Sequence, residues 1–170
     1  MPPKGRRCRA PAAHVLCSPV KANTKICDTF KRRFVVEEEI AQGGFGRIYS
    51  AHQEDGTEYN KKGSLVVKVE PQANGPLFTE MHVFQRILQP QMLSDWAKSR
   101  KCKHLGLPPH LSSGIMKQGQ TSLRYLIMPR YAESLEDMRN KNGGRLPADV
   151  VFTVAKHCCN SLSYMQEMVG

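Results

Sequence analysis

The chain has 170 residues, of which 40% are hydrophobic and 24% charged, which excludes a disordered polypeptide and suits one globular domain with a real core. No stretch approaches the roughly 18 uninterrupted apolar residues of a membrane-spanning helix, and the basic first 30 residues lack the apolar run of a secretory signal. The net charge of +10 is concentrated: residues 1–33 hold nine Lys or Arg against the single acid Asp28, whereas the remainder is nearly neutral.

Residues 1–29 read as a basic, mostly disordered tail rich in Pro, Ala, Lys and Arg. Such a tail suits an anionic partner such as chromatin or nucleic acid, or serves only as a solvated arm. Six cysteines at irregular spacing, with no Cys-x-x-Cys pair, point to a reducing interior, nucleus or cytoplasm, rather than to disulfides or structural zinc. Order is expected from Phe30. Phe34, Val36 and Ile40 alternate with Val35, Glu37 and Glu39, as in a strand. Gly43, Gly44 and Gly46 form a turn, and Arg47 to about His52 a second strand. Ser64–Val69 forms a third, and these short strands predict an antiparallel meander.

Gly75-Pro76 opens a helix whose Leu77, Met81, Phe84 and Leu88 share a face. Pro90 leads into a second helix with Met92, Leu93 and Trp96, then a basic run. Leu111–Met116 and Leu123–Met128 read as a hairpin around Gln118-Gly119-Gln120. A short helix through Leu135 and Met138 ends at Asn142-Gly143-Gly144. Pro147 starts the longest helix, with an apolar stripe of Val151, Val154, Cys158, Leu162, Met165 and Val169. That stripe needs a cover that residues 1–170 do not offer. The order strands, helix, strands, helices is an α+β plan.

Three features carry chemistry together. A glycine turn lets backbone N–H groups approach a phosphate, although most isolated glycine clusters between strands are plain hairpin turns. Lys68 lies inside an apolar strand, on a face with Val66 and opposite Leu65, Val67 and Val69, so it must reach water or an anion. Glu80 borders the apolar stripe of the following helix, where a cation would offset its burial. Each has a bland reading on its own. Their order matches the protein-kinase signature of glycine loop, strand lysine and helix glutamate. On that pattern Ile40, Ile48 and Val66 form a lid over an adenine, Gly43, Gly44 and Gly46 approach the phosphates, and Met128 is the gatekeeper before a hinge reaching Tyr131. Lys68 then holds α- and β-phosphates while Glu80 keeps it in place.

The likeness tightens further. Gly43-Gly44-Phe45-Gly46 with Ile48-Tyr49, Val66-Val67-Lys68-Val69-Glu70-Pro71 and Asn74-Gly75-Pro76-Leu77-Phe78-Thr79-Glu80 are its core. Trp96, Leu105-Gly106-Leu107-Pro108, Arg124-Tyr125-Leu126-Ile127-Met128 and Arg145-Leu146-Pro147 extend it. From about residue 27 onward the sequence resembles the vaccinia-related kinase family, within the casein-kinase-like branch of Ser/Thr protein kinases. The resemblance implies a kinase N-lobe over 30–128, an antiparallel sheet plus the αC helix. It implies a hinge and the first C-lobe helices over 129–170, the cofactors ATP and Mg, protein substrates, and nuclear, chromatin-associated relatives. The first glycine of the family's loop is Ala41 here, which still permits an extended backbone. No His-x-Asp catalytic loop and no Asp-Phe-Gly segment occur in these residues, so no catalytic or metal-binding residue is assigned and residues 1–170 alone are expected to be inactive. A non-catalytic module that binds nucleotide weakly or engages a partner is the alternative.

Overall fold

The computed structural model describes residues 15–56, 58–103 and 105–169. Six antiparallel strands form one sheet in the order β1-β2-β3-β4-β6-β5. They are β1 (Lys25–Cys27), β2 (Arg33–Gln42), β3 (Arg47–Gln53), β4 (Leu65–Pro71), β5 (Ser112–Gln118) and β6 (Thr121–Pro129). Helices α1 (Pro76–Ile87) and α2 (Pro90–Ser99) interrupt them, and α3 (Leu135–Lys141) and α4 (Ala148–Val169) follow. The expected meander of β2, β3 and β4 is present, and the hairpin β5–β6 turns at Gly119, whose φ of 60° suits glycine.

Strand alternation sorts the core into two layers. Leu65, Val67 and Val69 of β4 and Leu123, Tyr125 and Ile127 of β6 pack on the outer face with Phe34, Val36 and Tyr49. Leu126 faces the other way, joining Leu77, Met81, Phe84 and Ile87 of α1 and Leu93 and Trp96 of α2. Each fully buried aliphatic side chain contributes about 1.5–3 kcal/mol. The periodicity of α1 follows from this packing, and Pro76 at its first turn has no N–H to leave unsatisfied.

The expected onset of order at Phe30 is corrected by residues 15–29. Cys17, Val20 and Ile26 are buried in the outer core. The Val20 N–H donates to the Tyr49 hydroxyl (2.9 Å), Arg47 Nε to the Cys17 carbonyl (2.9 Å), and β1 pairs with β2. The segment thus covers the outer face of the sheet. The basic composition of residues 1–33 as a whole masks Cys17, Val20 and Ile26, which are the groups that dock. Residues 1–14, with Lys4, Arg6, Arg7 and Arg9 of the basic segment, lie outside the described residues. Cys17, Cys27, Cys102, Cys158 and Cys159 are not joined in disulfides, and no helix among the described residues is long and apolar enough to cross a membrane.

Helix α4 docks by a face rotated from its apolar stripe, sharing with it only Val154 and Met165. Its inward side is Val154, His157, Ser161, Tyr164, Met165 and Met168, while Val151, Leu162 and Val169 are 47%, 69% and 74% exposed. Polar anchors set this rotation. The fully buried Tyr164 donates its hydroxyl to the Ile87 carbonyl. Ser161 Oγ donates to the Leu105 carbonyl (2.7 Å), and Glu167 accepts from Trp96 Nε1 (2.9 Å) and Arg100 (2.7 Å).

Candidate functional site

The glycine turn joins β2 to β3 at one end of the sheet. The Gly43 N–H donates to the Gly46 carbonyl (2.9 Å), which closes the turn. Gly44 has open space around its Cα, whereas a Cβ on Gly46 would meet the Val69 carbonyl oxygen at 2.3 Å. The two glycines therefore serve different ends. Gly46 lets the turn lie against β4, and Gly43 and Gly44 leave backbone open to solvent.

Register places the next residues. Ile48 of β3 pairs with Lys68 of β4, which pairs with Leu126 of β6. One row along, Ser50, Val66 and Met128 are partners in the same way. Directly paired residues project from the same face, so Ile48, Val66, Lys68 and Met128 line the side of the sheet that carries α1. All four are half-buried. Lys68 Nζ forms an ion pair with Glu80 Oε2 from the second turn of α1. The expected pairing of strand lysine and helix glutamate is thus present, and both groups keep about a third of their side-chain surface exposed (35% and 31%). N–H donors of the ammonium remain for an anion, since Lys has three.

Other predicted residues are placed more loosely. Ile40 is 42% exposed, next to irregularities in the β2–β3 register between Val36 and Ala41. Tyr131, past the end of β6, is 61% exposed and lines a cavity of about 820 Å³ with Tyr59, Leu93 and Leu107. Its phenol is pushed above the usual range by partial burial. Lys68 is not among the residues lining that cavity.

Around the β4–α1 connection lie residues to which the sequence motif gives no role of their own. Asn74 is buried, and its Nδ2 donates to the Phe45 carbonyl of the glycine turn (3.2 Å) and to the Val15 carbonyl (3.0 Å). Arg124 donates to the Gln72 and Asn74 carbonyls, and its guanidinium lies 4.8 Å from the centre of the Phe78 ring. Glu70, 2% exposed, accepts the Leu77 N–H at 2.7 Å. A signal for Glu70 exists in the sequence, because it lies two residues from Lys68 and so on the same strand face.

Among the described residues no group of three His, Cys, Asp or Glu side chains converges on a common point, and no chemical step is assigned to a metal on them.

No family model matches the chain. Among curated proteins it is 40% identical over 169 residues to Serine/threonine-protein kinase VRK1 of Caenorhabditis elegans, covering 98% of this chain and 26% of that protein. It is 33% identical over 142 residues to the B1 kinase of vaccinia virus (strain Western Reserve), 84% of this chain and 44% of that protein. With Nucleosomal histone kinase 1 of Drosophila melanogaster it shares 34% over 146 residues, 86% of this chain and 24% of that protein. The chain therefore spans from a quarter to under half the length of these relatives. The solved structure of vaccinia related kinase 3 superposes with a TM-score of 0.75 over 89% of this chain and 44% of that one, at 21% identity, which shows the fold. The sheet with α1 matches a kinase N-lobe, and on these sequence likenesses the chain belongs to the vaccinia-related family of Ser/Thr protein kinases.

Proposed function

We propose that these residues form the nucleotide-binding lobe of an ATP-dependent Ser/Thr protein kinase. One observation carries the reading. The Lys68–Glu80 pair bridges β4 and α1 on the sheet face that also presents Ile48, Val66 and Met128, close to a glycine turn with open backbone. A strand lysine on that face is costly unless an acid steadies it and an anion uses it.

In this reading the adenine lies against Ile48 and Val66, with Ile40 at the rim, Met128 behind and Tyr131 beyond in the hinge. The exposed backbone at Gly43 and Gly44 lies toward the phosphates, with the Gly44 N–H as the donor because the Gly43 N–H closes the turn on the Gly46 carbonyl, and Gly46 keeps the turn low over β4. Lys68 donates to α- and β-phosphate oxygens, which draws their charge off the leaving group. Glu80 accepts from the same ammonium and fixes its direction. When bound, ATP supplies the phosphoryl group, and the side chains and backbone of this lobe bind and orient it. Transfer to a protein hydroxyl, as the names of the relatives imply, needs an aspartate base and magnesium ligands that are not among these 170 residues. Nuclear or cytoplasmic residence, and chromatin or nucleic-acid contact through the basic residues 1–33, belong to the same proposal. They are supported by charge and by the name of the fly relative.

The test is a thermal shift with ATP on the wild type and on Lys68→Met. ATP should raise the melting temperature of the wild type and have a much smaller effect on the variant. Equal stabilisation of both, or of neither, would remove the role given to Lys68.

A further inference from the structure

Helix α1 carries Glu80, yet it lacks the usual means of fixing its own start. Its N-cap is Gly75, no side chain of its own caps the first turn, and that turn contains no acid. The exposed N–H groups of a helix start need acceptors, and the positive end of the helix dipole favours a carboxylate. Strand β4 supplies one. Glu70 Oε2 accepts the Leu77 N–H at 2.7 Å, inside the protein, at 2% exposure. Its other oxygen, Oε1, is buried without a hydrogen-bond partner. A carboxylate kept in so unfavourable a place has a specific task, because burial without full pairing is costly.

Geometry states the task. Glu70 and Lys68 are two apart on one strand, so both project toward α1. Glu70 grips the helix at Leu77, and Lys68 grips it three residues on at Glu80, almost one turn along the same helix. Two contacts from one strand fix both the axial position and the rotation of α1, where the Lys68–Glu80 pair alone, between long and part-exposed side chains, fixes neither. The same node reaches the glycine turn. The site of a Cβ on Gly46 lies 3.5 Å from Glu70 Cβ, and Asn74, at the end of the connection, holds the Phe45 carbonyl.

We propose that Glu70 is a positioning residue for nucleotide binding: by capping α1 from β4 it sets the helix so that Glu80 holds Lys68 in its phosphate-binding direction. The proposal rests on the nucleotide reading above. It assigns Glu70 no contact with the nucleotide.

The experiment measures binding of a fluorescent ATP analogue to the full 170-residue chain, well below the unfolding temperature. The variants are Glu70→Ala, Glu70→Gln, Glu80→Gln, the Glu70→Ala/Glu80→Gln double, and Ile127→Val on the opposite face of the sheet as a stability control. Glu70→Ala should weaken binding roughly tenfold, the scale of a partly buried carboxylate–dipole contact. Glu70→Gln should recover most of it, since its amide oxygen still accepts the Leu77 N–H. Glu80→Gln should cost less in the Glu70→Ala background than in the wild type, because both act through Lys68. Ile127→Val should bind as the wild type does. Unchanged binding in Glu70→Ala, full additivity in the double variant, or equal weakening by Ile127→Val would overturn the proposal. Lys68→Met separates it from its premise. If that variant binds as well as wild type, the nucleotide reading is wrong, and the clamp is then judged by amide exchange at Leu77 and Glu80. Exchange must accelerate in Glu70→Ala for the clamp to stand, and unchanged exchange ends it.

Discussion

Tyr164→Phe removes one hydroxyl and nothing else, and it asks which face of α4 anchors that helix. The hydroxyl donates to the Ile87 carbonyl at the C-terminus of α1, in a site with no solvent access. Carbonyls of the last helical turn have no partner within the helix, so the substitution leaves Ile87 with a buried acceptor and no donor. The cost of such a group is about 1–3 kcal/mol. Taking about 2 kcal/mol, the melting temperature of a domain this size should fall by roughly 4–8 °C. The only tryptophan reports the event: Trp96 is 7% exposed, and its ring lies edge-on to Tyr164 at 5.7 Å between centroids. Urea unfolding followed by Trp96 emission should show the midpoint fall for Tyr164→Phe. Leu162→Ala, in the apolar stripe but 69% exposed, should stay within about 0.5 kcal/mol of wild type. An unchanged midpoint for Tyr164→Phe, or a larger effect of Leu162→Ala, would refute the docking by polar anchors.

Two further outcomes are expected. Gly46→Ala places a methyl group against the Val69 carbonyl and should destabilise the fold by about 1–3 kcal/mol, whereas Gly44→Ala, with open space around it, should be close to neutral in chemical denaturation. Equal effects would contradict the division of labour in the turn. His110 is held below its usual 6.5 by burial, and then by the charge of Arg32, so the unfolded chain takes up this proton first. Its contribution to stability is present above pH 6.5 and is lost as pH falls toward its folded value. Urea midpoints between pH 8 and 5 should therefore fall more steeply for wild type than for His110→Gln, and parallel curves would contradict the assignment.

The kinase-like arrangement was legible because its signals are local. The alternation around Lys68 gives its strand face, the spacing of Leu77, Met81 and Phe84 gives the helix face beside Glu80, and the glycines give the turn. Contacts that join distant segments were not legible. Val20 and Cys17 dock on Tyr49 and Arg47 some 29 and 30 residues away, and no local pattern separates them from a solvated basic arm. The exposure of much of the α4 stripe was expected for want of a cover, but the face by which α4 does dock was not legible, for the same reason. Hydrophobicity points to Val151, Leu162 and Val169, but the rotation is set by Tyr164, Ser161 and Glu167, whose acceptors and donors lie 56 to 77 residues earlier. Glu70 falls between the two cases. Its strand face follows from sequence, whereas its partner at the helix start depends on how the connection at Asn74 folds.

The central claim is that Lys68 recognises phosphate rather than the nucleoside. Calorimetric titration of wild type and Lys68→Met with ADP and with adenosine tests it most directly. ADP affinity should fall at least tenfold in the variant, the scale of one charge-assisted contact of about 1.5–3 kcal/mol, while adenosine affinity stays unchanged. Equal losses for both ligands, or no loss for ADP, would contradict the account.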